Sequence, residues 1–468
     1  MHFPDEIRYR YAFGVIDKFE QKDLTGAFSD FFRSYNRPSF ILLSVPLAYM
    51  QRVMDPNVGK DLSKPDKDDL RTYFIPSFFN VIASIMLVLL VYNWILTFTG
   101  NSAISMLGAI CFSMLNTSYM EIRHILPYYF CECIFLFILL KIFQAGDHLH
   151  LKNRELFLYG LLTGFGFSYY PAYYYLPFFI ILVIFCLSER RLKDSGIFLL
   201  SFLTVPTIYE IISKFTVTPY FIDSVKMEKM YEALPVSHEV FSSGSLVWIF
   251  KYMLGVEGIT GGIILVLSLL FMYKCFSKAG YPKRLKVLYI GMILNYVFVI
   301  LMILFTGKMG IRAKYYYPYV FIFLISTFLL LNEIIKYRKV FLVIFTGICI
   351  VSFVFFYSCY LKVVYPRDVR QFVREYYNEP SIVCISAGDE SKVKNMKKQM
   401  INIYEPRFVG VNIRFDGSSQ KLGFEDNRNI ISIPHTNGVY KPYGGKILEP
   451  ADRFGKMDIY ELWETEKS

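Results

Sequence analysis

Ten stretches of this chain stay apolar for about as long as a helix needs to cross a bilayer, and little else can be built from them. They run over residues 73–98, 102–118, 125–144, 155–170, 172–188, 195–214, 258–276, 287–306, 315–335 and 339–361. Crossing the hydrocarbon core takes about 20 residues. The 468-residue sequence is 54% hydrophobic and only 19% charged, too little polar surface to cover a soluble particle of that size. The expected fold is therefore a polytopic α-helical membrane protein of about 10 transmembrane helices, carrying a small C-terminal α/β extracytoplasmic domain. Its net charge of +11 calls for no nucleic acid, because cytoplasmic loops of such proteins carry excess Lys and Arg. The run 38–54, "PSFILLSVPLAYMQRVM", holds Pro38, Pro46 and Arg52 and reads as a helix lying in the interface rather than crossing.

Orientation follows from the basic loops. "SERRLKD" at 188–194, "KCFSKAGYPKRLK" at 274–286 and "KYRK" at 336–339 fall on one side when the ten runs alternate, and that side is expected to be cytoplasmic. The opposite side then receives residues 1–72, "MEIRH" at 120–124, "SYYPAYY" at 168–174, the loop 215–257, "GKMGIRAKYY" at 307–316 and the tail. Three regions result: an extracytoplasmic segment 1–72, a helical membrane domain 73–361 and a soluble extracytoplasmic domain 362–468. No secretory leader pattern is visible at the start. The expectation is instead that a first span precedes Met1.

In the tail the pattern changes. "YPRDVRQFVREYYNEP" reads as an amphipathic helix, "SIVCISAG" as a buried strand, "DESKVKNMKKQMINIY" as a helix, and "RFVGVNIRF" and "NIISIPH" as further strands. That alternation suggests an α/β domain. "SAGD" has too few glycines for a phosphate loop.

Several features have structural readings. The cysteines form no disulfide framework and read as small buried apolar residues; Cys131 and Cys133 fall on different helix faces. "GLLTGFGF" at 160–167 has glycines at helix-packing spacing. His148-Leu-His150 reads as a solvated turn. Glu132 lies inside an apolar run, where a carboxylate is either functional or a hydrogen-bonded buried residue below the site.

The outer side gathers acids, bases and aromatics. Asp5 and Glu6 are followed by Arg8 and Arg10; Glu121, Arg123 and His124 share a short loop; Lys308, Arg312 and Lys314 precede Tyr315; Tyr170 and Tyr173 flank Pro171. Sugar transfer from a lipid phosphate uses this mixture. A carboxylate serves as general base, Arg and Lys hold the phosphate leaving group, and Tyr offers faces and hydroxyls to a sugar or prenyl chain.

"PDEIRYRYAFGVIDKF" resembles the first outer loop of the GT-C glycosyltransferases that use polyprenyl-phosphate sugars, the group of the lipid A aminoarabinose and protein O-mannosyl transferases. "NRPSFILLSVPLAYM" is similar to their proline-bearing interfacial segment, reduced here to Arg37-Pro38. "SYMEIRHILPYYF" and "IRAKYYYPYVFIFL" are similar to two later outer motifs, the second through Arg312, Tyr315 and Pro318. The resemblance implies Asp5 as the catalytic carboxylate with Glu6 beside it. On this reading Arg312, Lys308, Lys314 and Arg123 are the donor-phosphate residues, and Glu121, His124, Tyr170, Tyr173 and Tyr315 the substrate-binding residues. It implies a polyprenyl-phosphate-linked sugar donor, a glycan, lipid or protein acceptor, and a multi-pass position in a bacterial cell membrane. No cofactor is certain; the oxygens of Asp5 and Glu6 suit Mg²⁺ or Mn²⁺. Three other readings share the topology: a flippase or transporter of lipid-linked sugars, a polysaccharide polymerase or ligase, and a non-catalytic protein displaying the tail.

Overall fold

Each of the ten apolar runs carries a helix, but the helices are less uniform than the runs. A computed structural model describes residues 9–32, 37–58, 69–115, 117–118, 128–147, 151–215, 249–250, 253–254, 257–278, 280–306, 317–334, 343, 345–354, and five strands in the tail. On the runs lie α4 (Asp69–Thr99), α5 (Ser102–Ser113), α6 (Tyr128–Gln144), α7 (Asn153–Tyr169), α8 (Tyr175–Leu187), α9 (Arg191–Ser213), α10 (Gly258–Ser277), α11 (Lys283–Thr306), α12 (Tyr317–Ile334) and α13 (Phe345–Val354). Ahead of them come α1 (Arg10–Glu20), α2 (Leu24–Phe32) and α3 (Pro38–Met54).

Among the described residues four helices are long and apolar enough to cross a membrane: Ile75–Thr99, Arg191–Ser213, Gly258–Ser277 and Lys283–Leu301. Others stop short of the expected length for local reasons. The helix α5, 12 residues long, begins with its run behind the N-cap Asn101, but ends at Ser113, where the amides of Met114 and Leu115 bond carbonyls only three residues back. The 13 residues of α8 start late because Pro171–Tyr173 wind as a 3₁₀ turn first. At 1.5 Å per residue such helices reach about 20 Å, less than the hydrocarbon thickness.

The surface suits an apolar solvent. Ile85 and Leu89 of α4, Leu200 of α9, Val266 of α10 and Leu294 of α11 are exposed, while Ser105, Thr163, Ser268 and Thr327 are buried. A water-facing bundle would reverse that order. The buried hydroxyls cost little because each returns a hydrogen bond to a carbonyl, as Thr163 does to Tyr159 at 2.7 Å.

Polar contacts gather the helix ends. At one end Gln144 donates to Thr97 at 3.3 Å, Asn101 to Asn332 at 3.3 Å, and Tyr281 to Glu333 at 2.7 Å beside the Lys274–Glu333 ion pair. There Asp147, in the bend after α6, accepts from the backbone amides of Lys283 and Arg284 at 3.1 and 2.9 Å, capping the start of α11. Both described basic loops, 188–194 and 274–286, belong to this end; "KYRK" lies outside the described residues.

At the other end sits the unit α1–α3. Arg52 of α3 is buried, paired with Asp17 of α1, and its guanidinium lies 5.4 Å from the ring centre of Phe13. Tyr9 donates to Gln51 at 2.8 Å. In the turn to α2 the Gly26 amide and the Lys18 ammonium hold the Asp23 carboxyl below its usual value. The 17 residues of α3 pack through Phe40 on Tyr169, with ring centres 5.5 Å apart.

In the tail, β1 (Ile382–Ser386), β2 (Arg414–Asp416), β3 (Asn429–Ile433), β4 (Asp452–Phe454) and β5 (Met457–Glu461) form one sheet in the order β2-β1-β3-β5-β4. β1 pairs parallel with β2 and β3; β3–β5 and β4–β5 are antiparallel. β1 and β3 fall within the expected strand runs, β2 overlaps only the last two residues of "RFVGVNIRF", and the β4–β5 pair is additional. The expected helices at 365–380 and 389–404 lie outside the described residues.

Candidate functional site

A carboxylate inside an apolar run must find a partner, and Glu132 finds one in a sharp aromatic turn. "SYYPAYYY" cannot continue α7 past Tyr169, because Pro171 has no amide to donate. The turn Pro171–Tyr173 swings Tyr173 toward α6. Its hydroxyl donates to Glu132 Oε1 at 2.6 Å, and both residues are buried.

Aromatic rings extend the cluster. Tyr170 meets Tyr173 edge to face at 5.0 Å, and the guanidinium of Arg37, at the start of α3, lies 5.0 Å from the Tyr170 ring centre. A cation over a desolvated ring is held by the ring's quadrupole. On the other flank Tyr175 stacks on Tyr319 of α12 at 6.1 Å, with planes 8° apart. Asn295 of α11 ties the two together, donating to Tyr175 O at 2.7 Å and accepting from the Tyr319 hydroxyl at 2.7 Å. Helices α6, α8, α11 and α12 and the turn thus meet in one buried polar layer.

Beside it lies a narrow apolar crevice. Phe40, Leu43, Ser44 and Leu47 of α3 form one wall, Pro76, Phe79 and Asn80 of α4 the other, with Phe130 and Tyr169 at the back. A second buried carboxylate, Glu257, accepts from the amide and hydroxyl of Thr117 at 2.8 and 2.5 Å and anchors α10 beside the end of α5.

Of the residues expected in the site, Tyr170 and Tyr173 are brought together. Asp5, Glu6, Glu121, Arg123, His124, Lys308, Arg312, Lys314 and Tyr315 lie outside the described residues. What is described is where their segments join the bundle. The Tyr129 hydroxyl donates to Ser118 O, closing the stem of the 119–127 segment, and the segment 307–316 leads into α12 two residues ahead of Tyr319. Asn295 and Tyr319 escaped the sequence reading; the signal for Asn295 was an amide inside "GMILNYVFVI". Among the described residues no three His, Cys, Asp or Glu side chains are grouped to hold a metal ion.

No family model matches this sequence, and no significant match was found among curated proteins or solved structures.

The Glu132–Tyr173 bond makes a testable demand. Glu132→Leu removes the acceptor of a buried hydroxyl, which is expected to cost about 1–3 kcal/mol, whereas Glu132→Gln keeps an acceptor oxygen and should cost much less. Thermal unfolding of the purified protein in detergent reads the difference. Equal melting of the Leu variant and the parent would mean that the bond does not support the fold.

Proposed function

We propose that the chain is an integral membrane glycosyltransferase that moves a sugar from a polyprenyl-phosphate donor to an acceptor hydroxyl on the extracytoplasmic side. The observation that carries this reading is the convergence at one end of the bundle. The stem of 119–127, the entry to α12 and the Arg37-Pro38 start of α3 all meet the Glu132–Tyr173 layer there. The opposite end holds the described basic loops, which positive-inside assigns to the cytoplasm. On this account the ten helices all belong to the membrane domain, the shorter ones burying their ends against their neighbours. The tail sheet, with parallel pairs that demand crossover connections, belongs to an extracytoplasmic α/β domain.

In the proposed reaction the acceptor oxygen attacks the anomeric carbon while the bond to the phosphate oxygen breaks. Polyprenyl phosphate leaves with the electron pair, and Asp5 takes the acceptor proton. Arg312, with Lys308, Lys314 and Arg123, offsets the charge on the phosphate.

The test incubates the purified full chain in lipid nanodiscs with undecaprenyl-phosphate hexoses and pentoses and follows release of undecaprenyl phosphate. No release from any donor, with or without Mg²⁺ or Mn²⁺, would overturn the proposal. Arg312→Lys should slow release at least tenfold although charge is kept, because a point charge replaces a planar fork matched to phosphate oxygens. A parent-like rate for that variant would remove Arg312 from the phosphate site. The buried Glu132 favours one other reading, transport of the lipid-linked sugar, since intramembrane carboxylates also line transport paths. Flux of labelled donor across a sealed vesicle without transfer would select it.

A further inference from the structure

Far from that layer, the corner where α7 and α9 begin concentrates positive charge beside exposed apolar side chains. The two helices run parallel: a Cβ on Gly160 would meet Phe198 O at 2.6 Å, and one on Gly164 would meet Val205 Cβ at 3.1 Å, so both helices start at the same end. Arg190 locks the starts together, donating to Leu151 O at 3.2 Å and pairing with buried Asp194 at 3.1 Å. Ser188 also donates to Asp194, at 2.6 Å. Glu155 accepts from the Lys152 amide at 2.8 Å. Asp194 is thereby engaged inside the fold, while Glu155 caps the start of α7 at its surface. Lys152, Arg154, Arg191 and Lys193 are exposed, four cations against the surface acids Glu155 and Glu189.

Between Arg191 and Lys193 stands Leu192, 82% exposed. Leu200 continues the apolar face of α9 at 72% exposure, and Phe157 and Leu158 lie on α7. Only 17% of the apolar window of α9 is buried within the protein, the smallest share among the four long helices. A soluble anion gains nothing from a leucine thrust outward among cations. A phospholipid does, because phosphate and acyl chain lie one above the other, and long cationic side chains reach to the headgroup level.

We propose that this corner binds the headgroup of an anionic phospholipid, with Arg154, Arg191 and Lys193 around the phosphate and Leu192 against the acyl chains. The site stands whether or not the protein transfers sugar.

Native mass spectrometry of the full chain in neutral detergent, titrated with dioleoylphosphatidylglycerol, dioleoylphosphatidylcholine or inorganic phosphate, tests it. Phosphatidylglycerol should bind more tightly than phosphatidylcholine, and phosphate alone should not displace it. Arg191→Gln with Lys193→Gln should weaken phosphatidylglycerol roughly 30-fold, roughly fivefold per charge, while Lys141→Gln leaves it unchanged. Leu192→Ser, which keeps every charge, should also weaken it. Equal binding of the two lipids, or a double variant that elutes as the parent does and binds phosphatidylglycerol equally well, overturns the site. Displacement by phosphate at matched concentration overturns the lipid assignment.

Discussion

Asp5→Asn is expected to lower sugar transfer by about 10²-fold or more while leaving donor binding nearly intact. The magnitude is the lower end of what a positioned general base contributes. The amide keeps the size of the carboxylate and part of its hydrogen bonding, yet it cannot take a proton from the acceptor. A single carboxylate suffices because a prenyl phosphate leaves without protonation. Glu6→Gln should cost less, since the adjacent residue points elsewhere if the helical run starting at Arg10 extends back through it. Asp5 stands four residues before Tyr9, which is wholly buried and bonded to Gln51. The start of α1 is therefore held against α3, so that loss of activity in the variant need not reflect loss of the fold; matched melting temperatures check this. A parent rate for Asp5→Asn in a folded protein would leave the transferase reading without its base. Release of undecaprenyl phosphate by the parent, with no effect of Asp5→Asn, would keep the reaction and move the base elsewhere.

What could be read beforehand follows from the range of the forces involved. Helix positions depend on local apolar runs, so each of the ten runs carries a helix. Helix ends depend on local turns: α5 closes at Ser113 and the Pro171–Tyr173 turn delays α8, and a hydropathy window averages over both. Glu132 was legible because a carboxylate in "YYFCECIFLF" must be either functional or hydrogen-bonded inside the fold. Its partner was not, since Tyr173 is 41 residues away and nothing local distinguishes it from Tyr174. The β4–β5 pair had a local signal that went unused: alternating "DRF" and "MDIYE" flank Gly455-Lys456, a two-residue connection of hairpin type. The catalytic, phosphate-binding and most substrate-binding positions expected from the motifs fall outside the described residues, so assay rather than geometry must judge them.

One chemical change made at two glycines should have opposite effects. Gly164→Ala is expected to destabilise the protein by about 1–3 kcal/mol, the usual cost of overpacking, whereas Gly196→Ala is expected to be neutral or to stabilise it by up to about 1 kcal/mol. Both residues sit inside helices, α7 and α9, and in both cases the new methyl improves helix propensity. The difference is what the methyl meets. At Gly196 nothing lies within 4 Å. At Gly164 the methyl would run into the backbone carbonyl of Phe202, and Val205 Cβ lies 3.1 Å away. A side chain can turn aside; a helix carbonyl cannot without moving the helix. The two helices would have to separate, and with them Gly160, whose added Cβ would meet Phe198 O at 2.6 Å, would lose its close contact. Gly164→Leu should be worse, towards failure to assemble. The measurement is thermal unfolding in detergent, with fluorescence-detected size exclusion to register aggregation. Three kcal/mol is roughly a 10²-fold shift in the folded population. Should Gly164→Ala melt with the parent, the contact between α7 and α9 is looser than 160–164 against 198–205 requires. The shared corner at Leu151 and Arg190, with the lipid site built on it, would then have to hold through the Arg190–Leu151 bond alone.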